Sequence, residues 1–184
     1  MLETLLQADG SILLAVQTLH QPWLDPIVAF YTQLGNAGLL WIVLSLAMLF
    51  WRPTRKAGVL ALTAMLFGLL ITNVTIKPLV ERARPWLDLP IVPLVVENDP
   101  NSFPSGHTCA AFAAGLSWLR ALPWRWGRVA AVILAVCMGL SRLYVGVHYP
   151  SDVLAGAAIG ALCAWAAWGL YRLWEKRRSQ AVGP

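Results

Sequence analysis

The stretch FPSGHTCAAFAAGLSWL, residues 103–119, opens on a polar turn carrying a histidine and runs directly into small, apolar residues. A polar cluster at the mouth of a lipid-compatible segment is the feature to be explained. Around it lie 184 residues that are 58% hydrophobic and 12% charged, against about a quarter charged in soluble domains. The spacing of the charges marks where a membrane would lie. Lys56 and Lys77 enclose 20 uncharged residues, and Asp152 and Arg172 enclose 19. At a rise of about 1.5 Å per residue, such a run crosses the hydrocarbon core as a helix. Residues 108–119 and 129–141 form two shorter apolar runs that extend past a flanking polar residue, and residues 26–51 form an uncharged stretch interrupted by LGNAG at Leu34–Gly38. The expectation is an all-α, polytopic transmembrane helical bundle with five spans, near residues 34–51, 57–76, 105–122, 128–146 and 151–173.

Residues 3–20 are too polar for a span and predict an amphipathic helix lying at the outer interface; a sixth span there is the alternative. The chain then reads as a single transmembrane domain over 1–184, with an N-terminal interfacial helix in 1–25, an outer loop over 78–104 and a basic tail over 174–184. Ten of the fourteen Lys and Arg residues fall in two short connections and the tail, from Arg52, Arg55 and Lys56, through Arg120, Arg125 and Arg128, to Arg172, Lys176, Arg177 and Arg178. With five spans these share one side, which the positive-inside rule makes cytoplasmic. Lys77, Arg82, Arg84 and Arg142 remain on the opposite side, and cations that defy the rule need a reason. No Lys or Arg precedes Arg52, so the basic start of a secretory signal peptide is missing.

The net charge of +5 is accounted for by the cytoplasmic ends, and no basic face interleaved with aromatics points to nucleic acid. Cys109, Cys137 and Cys163 fall inside predicted spans and read as buried apolar thiols, not as a disulfide framework or metal site. Trp51, Trp124, Trp126 and Trp174 on one side and Trp23 and Trp86 on the other fit interfacial belts. Gly156 and Gly160 form a GxxxG expected to pack helices within the chain. The loop over 78–104 holds six of the twelve prolines, which predicts extended backbone and turns in place of helix. Within it Asp88, Glu97 and Asp99 read as solvated carboxylates, and Glu81 and Arg82 as loop charges. His20 reads as a structural histidine.

Three polar groups converge on the outer helix ends: KPLVERARP with Lys77 and Arg84, PSGH with Ser105, Gly106 and His107, and SRLYVGVHYPSD with Ser141, Arg142, His148 and Asp152. Lys77, Arg84 and Arg142 supply fixed cations, and guanidinium forks match the oxygens of a phosphate. Ser105 and the N–H groups around Gly106 open a helix N-terminus, a ready anion site. His148 has Asp152 four residues on, placed to orient its ring and stabilise the imidazolium formed on attack, which marks it as a nucleophile. His107 is then the acid for the departing oxygen. No metal and no cofactor is called for by this set.

With these residues the chain resembles the type 2 phosphatidic acid phosphatase (PAP2) family, whose signature KxxxxxxRP, PSGH and SRxxxxxHxxxD recurs as Lys77–Pro85, Pro104–His107 and Ser141–Asp152 within about residues 55–172. The resemblance implies a phosphohistidine on His148, Asp152 as its partner and His107 as acid. It also implies phosphate binding by Lys77, Arg84, Ser105, Gly106, Ser141 and Arg142. The family also includes soluble vanadium-dependent haloperoxidases, against which the apolar spans argue. The function expected is a lipid phosphatase of a bacterial inner (cytoplasmic) membrane with its site facing outward. Undecaprenyl pyrophosphate is the first choice of substrate, and phosphatidylglycerophosphate, phosphatidic acid and lipid A phosphate are the alternatives. In some relatives devoted to the undecaprenyl substrate an aspartate replaces the glycine of PSGH. A lipid-phosphate binder or flippase is the rival from another class; it has no use for the His148 and Asp152 pair. Beyond substrate and membrane lipids the sequence names no partner and sets no oligomeric state.

Overall fold

The computed structural model describes residues 2–181, with side chains from residue 6 onward, and those residues are helical or irregular, with no strand among them. In chain order the elements are α1 (Leu2–Gln17), α2 (Asp25–Leu34), a 3-10 turn (Asn36–Gly38), α3 (Leu39–Leu49), α4 (Arg52–Leu69), a π-helical segment (Leu70–Ile76), α5 (Lys77–Val80), α6 (Pro85–Asp88), α7 (Gly106–Ala121), α8 (Arg125–Tyr144) and α9 (Pro150–Ala181). The segment Arg52–Asp88, α8 and α9 are each long and apolar enough to cross a membrane, and α2 with α3, bent by 52° at their break, would make a fourth crossing.

The helix that begins at PSGH is the centre of the bundle, with α4, α8 and α9 packed around it. It can be central because its partners present small residues there. A Cβ on Gly156 would stand 2.5 Å from the Ser105 carbonyl oxygen, and one on Gly160 would stand 2.5 Å from that of Cys109, so α7 and α9 meet backbone to backbone. The GxxxG pair packs inside the chain, as the sequence predicts. Trp118 of α7 meets Trp41 of α3 with ring centroids 5.5 Å apart.

Several expectations are corrected. LGNAG does not begin a span; it is the bend between α2 and α3, so the apolar stretch starts as a separate helix at Asp25. The central helix α7 has 16 residues, fewer than the roughly 20 of a usual crossing. The proline-rich loop is not free of helix: Pro78 lies in α5, which continues the π-helical segment, and Pro85 stands in the first turn of α6 after an extended residue, where a missing N–H costs nothing. Cys109 and Cys163 are buried, but Cys137 is exposed on the outer side of α8. Of the expected basic tail, 174–181 continue α9, and 182–184 lie outside the described residues.

The helix ends differ in what they carry. At one end Lys56 pairs with Glu175 at 3.3 Å and lies over Trp168, Arg120 lies over the same ring, and Trp51 stacks on Trp124. At the other end α1 docks Leu13, fully buried, against Ile91 and Tyr149, and the three motifs come together beside it.

Candidate active site

Lys77 follows a seven-residue π-helical segment, a rare element that recurs at functional sites. Its side chain is buried and bonded to the Asp99 carboxylate. Arg84 stands in the extended residue before α6 and is also buried. It donates from Nε to the Asp99 carbonyl oxygen at 3.0 Å, and from Nη1 to the Val147 carbonyl oxygen at 2.9 Å and to His148 Nε2 at 3.1 Å. Arg142, in the last turn of α8, is 1% exposed and donates to Thr32 Oγ1 at 2.7 Å and to the Glu97 carboxylate. Its Nε–H has no acceptor. A buried charged donor left open calls for a partner the protein itself does not supply.

Ser105 caps α7: its Oγ accepts from the Thr108 hydroxyl at 2.9 Å and, longer, from the Thr108 N–H at 3.4 Å, leaving the first N–H groups of the helix for an anion. A Cβ on Gly106 would stand 3.1 Å from Asn73 Oδ1, so any larger residue there must displace Asn73. His107 Nε2 is 2.9 Å from Asn36 Oδ1, in the bend between α2 and α3. Ser141 is buried at the site end of α8, but its hydroxyl donates back to the Met138 carbonyl oxygen at 2.7 Å. It lends the site no free donor.

His148 is buried in the turn between α8 and α9, with Nδ1 3.4 Å from Asp152 Oδ2. That separation is long for a hydrogen bond. Because a guanidinium can only donate, its bond to Nε2 requires the ring's lone pair there and its proton on Nδ1, toward Asp152. Burial first, then the cations Arg142, Arg84 and Lys77, hold His148 well below its ordinary pKa, so the ring is neutral. For Asp99 burial works upward, but Lys77, the Asn101 N–H and Arg84 outweigh it and keep the carboxyl below its ordinary value.

A cavity of about 600 Å³ joins these groups. Lys77, Arg84, Gly106, His107 and His148 line one part, and Ile42 of α3 with Leu62, Met65, Leu66 and Leu69 of α4 line the other. A polar chamber thus opens into an apolar groove between two helices. Among the described residues no three His, Cys, Asp or Glu side chains gather so as to hold a metal ion.

The structure therefore brings Lys77, Arg84, Ser105, Gly106, His107, Arg142, His148 and Asp152 to one end of the bundle, and it corrects the loop charges. Glu97 and Asp99 are not solvated; they are half-buried and bonded to Arg142 and Lys77. Three buried cations need counter-charge, a requirement that could have pointed to them. Arg82 is no loose loop charge either, since it bonds Asp9 and Asp152. Asn36 and Asn73 had no sequence signal. Asp88 is exposed, as expected, and His20 is structural, its Nε2 2.7 Å from the Tyr144 carbonyl oxygen.

Comparison with known proteins gives this geometry its context. Residues 57–176 match the model of the PAP2 superfamily. Phosphatidylglycerophosphatase B of Bacillus subtilis is 33% identical over 168 residues, covering 84% of this chain and 79% of the relative. The undecaprenyl-diphosphatase BcrC of the same organism is 29% identical over 150 residues, covering 78% and 72%. The crystal structure of a transmembrane PAP2-type phosphatidylglycerolphosphate phosphatase from Bacillus subtilis superposes with a TM-score of 0.75 at 32% identity, over 92% of this chain and 87% of that one. The chain belongs to the PAP2 superfamily and is a membrane lipid phosphatase.

Proposed function

We propose that the chain removes a terminal phosphate from a membrane lipid by way of a phosphohistidine on His148. The observation that carries this reading is the neutral His148, its proton turned to Asp152 and its Nε2 lone pair facing the chamber that Lys77, Arg84 and His107 line. As the phosphate enters, Arg84 moves its hydrogen bond from Nε2 to a phosphate oxygen, which frees the nucleophile. Nε2 attacks phosphorus, the bond from phosphorus to the lipid oxygen breaks, and His107 gives that oxygen its proton. The cations and the open N–H groups at the α7 N-terminus stabilise the charge spread over the three remaining oxygens. In the second half, water attacks the phosphohistidine, His107 takes the water's proton, and inorganic phosphate leaves with His148 neutral again.

The groove between α3 and α4 suits a lipid tail that stays in the bilayer while its headgroup reaches the chamber. Three cations against the carboxylates of Glu97 and Asp99 leave the site with one net positive charge, which favours a monophosphate dianion over the more highly charged pyrophosphate. A lipid phosphate monoester of the phosphatidylglycerophosphate or phosphatidic acid kind is therefore the first reading. Undecaprenyl pyrophosphate is the second, favoured by the resemblance to BcrC. With ten of the fourteen basic residues at the other end of the bundle, the positive-inside rule turns the site outward from a bacterial inner membrane.

The test is phosphate release by purified wild type and His148→Ala, on phosphatidic acid and on undecaprenyl pyrophosphate, in detergent with excess chelator. Wild-type turnover that is faster on the monoester and abolished by the substitution is expected. Turnover that survives His148→Ala would overturn the nucleophile; faster release from the pyrophosphate would reverse the order of substrates.

A further inference from the structure

We propose that Arg82 and Asp9 form a positioning pair that holds Asp152 charged and correctly turned toward His148, so that α1 is a working part of the site. The inference rests on the phosphohistidine reading above. Arg82 occupies a position that the first motif leaves unspecified, and Asp9 lies in the N-terminal helix, outside the residues matched to the family. The Arg82 guanidinium lies 3.9 Å above the Tyr149 ring. Its Nη1 donates to Asp152 Oδ1 and to Ser151 Oγ, each at 2.7 Å, and its Nη2 donates to Asp9 Oδ2 at 2.8 Å. Asp9 closes the cluster by accepting from the Ser151 N–H at 2.9 Å and from the Ser151 hydroxyl.

Asp152 is 0% exposed, and a carboxylate so removed from water takes up a proton or loses its orientation unless a bonded cation holds it. Arg82 is the guanidinium bonded to it. With Oδ1 fixed by Arg82, and Oδ2 by the Tyr149 N–H at 2.9 Å, the carboxylate plane is set and Oδ2 is left toward His148 Nδ1. The demand on Asp152 is greatest when His148 carries the phosphoryl group and its ring is cationic. A neutral or rotated Asp152 would stabilise that state poorly. Asp9 takes the second arm of Arg82, which keeps the fork on Asp152.

A merely structural role would loosen phosphate binding and turnover together, whereas a positioning role lowers turnover and spares binding. The experiment uses the full chain in nanodiscs with whichever of phosphatidic acid and undecaprenyl pyrophosphate is turned over faster, and orthovanadate as the phosphate mimic. Arg82→Gln is expected to lower kcat on the order of 10- to 100-fold, the range found when an outer partner that orients a metal-binding side chain is removed. KM and vanadate inhibition should stay within about two-fold of wild type, because Lys77, Arg84 and Arg142 are untouched. Asp9→Asn should lower kcat less, by roughly five-fold, and the double variant should be no slower than Arg82→Gln, since coupled residues do not add. Should Arg82→Gln fail to fold, Asp9→Asn and Arg82→Lys carry the same reading, the lysine reaching only one of the two carboxylates and restoring part of kcat. An unchanged kcat, additive losses, or vanadate binding that falls in step with kcat would overturn the proposal. If His148→Ala is inactive while these variants turn over normally, the pair alone is refuted; if His148→Ala is active, the underlying reading falls and the pair with it.

Discussion

The two ends of this bundle both hold clustered cations, and they use them in opposite ways. At the basic end Lys56, Arg120 and Arg178 rest their charges on the rings of Trp168, Tyr171 and Trp174, and the Lys56 ion pair with Glu175 is a third or more exposed on both sides. At the site end Arg84 and Arg142 are each 1% exposed and hydrogen-bonded to acids or carbonyl oxygens. Exposed cations are screened and contribute little individually, whereas buried ones are costly without partners and strong toward an anion that enters. Position along the membrane normal accounts for the first group, and only a ligand accounts for the second, with its open Arg142 Nε–H.

The largest expected effect breaks that comparison directly. Arg142→Ala should lower kcat/KM about 10²- to 10³-fold, the usual range for removing a group that stabilises developing charge. Arg120→Ala at the other end should change it by less than about two-fold; equal losses from both, measured on purified protein, would mean that the ends do not differ in function. Next in size, His107→Ala should slow monoester cleavage by roughly 10²-fold and pyrophosphate cleavage less, because a leaving alkoxide needs the proton more than a leaving lipid phosphate does. Equal losses on the two substrates would count against His107 as the acid.

A smaller effect is expected at the carboxylate that faces Arg142. Glu97→Gln removes a charge that a bound phosphate must compete with, so vanadate should inhibit this variant several-fold more tightly, roughly the effect of one partly screened charge. Weaker inhibition would assign Glu97 to holding Arg142 in place instead. The last prediction concerns proton binding. Burial and the three cations lower the His148 pKa below its ordinary 6.5, so the folded chain leaves the ring neutral at pH values where the unfolded chain protonates it. His148 therefore opposes folding increasingly as pH falls below 6.5 toward its folded pKa. Its imidazole signal in nitrogen NMR should keep the neutral shift through pH 6.5 and below, and Arg142→Ala should move the titration upward. A titration at or above 6.5 in the wild type would contradict the stated environment.

The sequence carried the apolar helices and most of the residues gathered at one end of the bundle because both are written locally. Uninterrupted apolar runs mark helices that water would reject, and Lys77, Arg84, His148 and Asp152 sit at spacings that make sense only as chemistry. What the sequence left hidden depends on contacts between distant segments. Glu97 meets Arg142 and Asp99 meets Lys77 across the fold, and Asp9 reaches Ser151 across 142 positions of chain. The bend at Leu34–Gly38 reads as a break in either case; that it carries Asn36 to His107 is decided by packing. Cys137 looked buried because its neighbours are apolar, yet on the outside of a membrane bundle apolar residues are the exposed ones.

The central claim is that His148 accepts the phosphoryl group. The most direct test is to quench the enzyme during turnover of a lipid carrying a labelled terminal phosphate and to locate the label on the denatured chain. The account predicts an acid-labile, base-stable label on His148 that is lost in His148→Ala. Turnover at full rate with no label on the chain, or with the label on another residue, would contradict it.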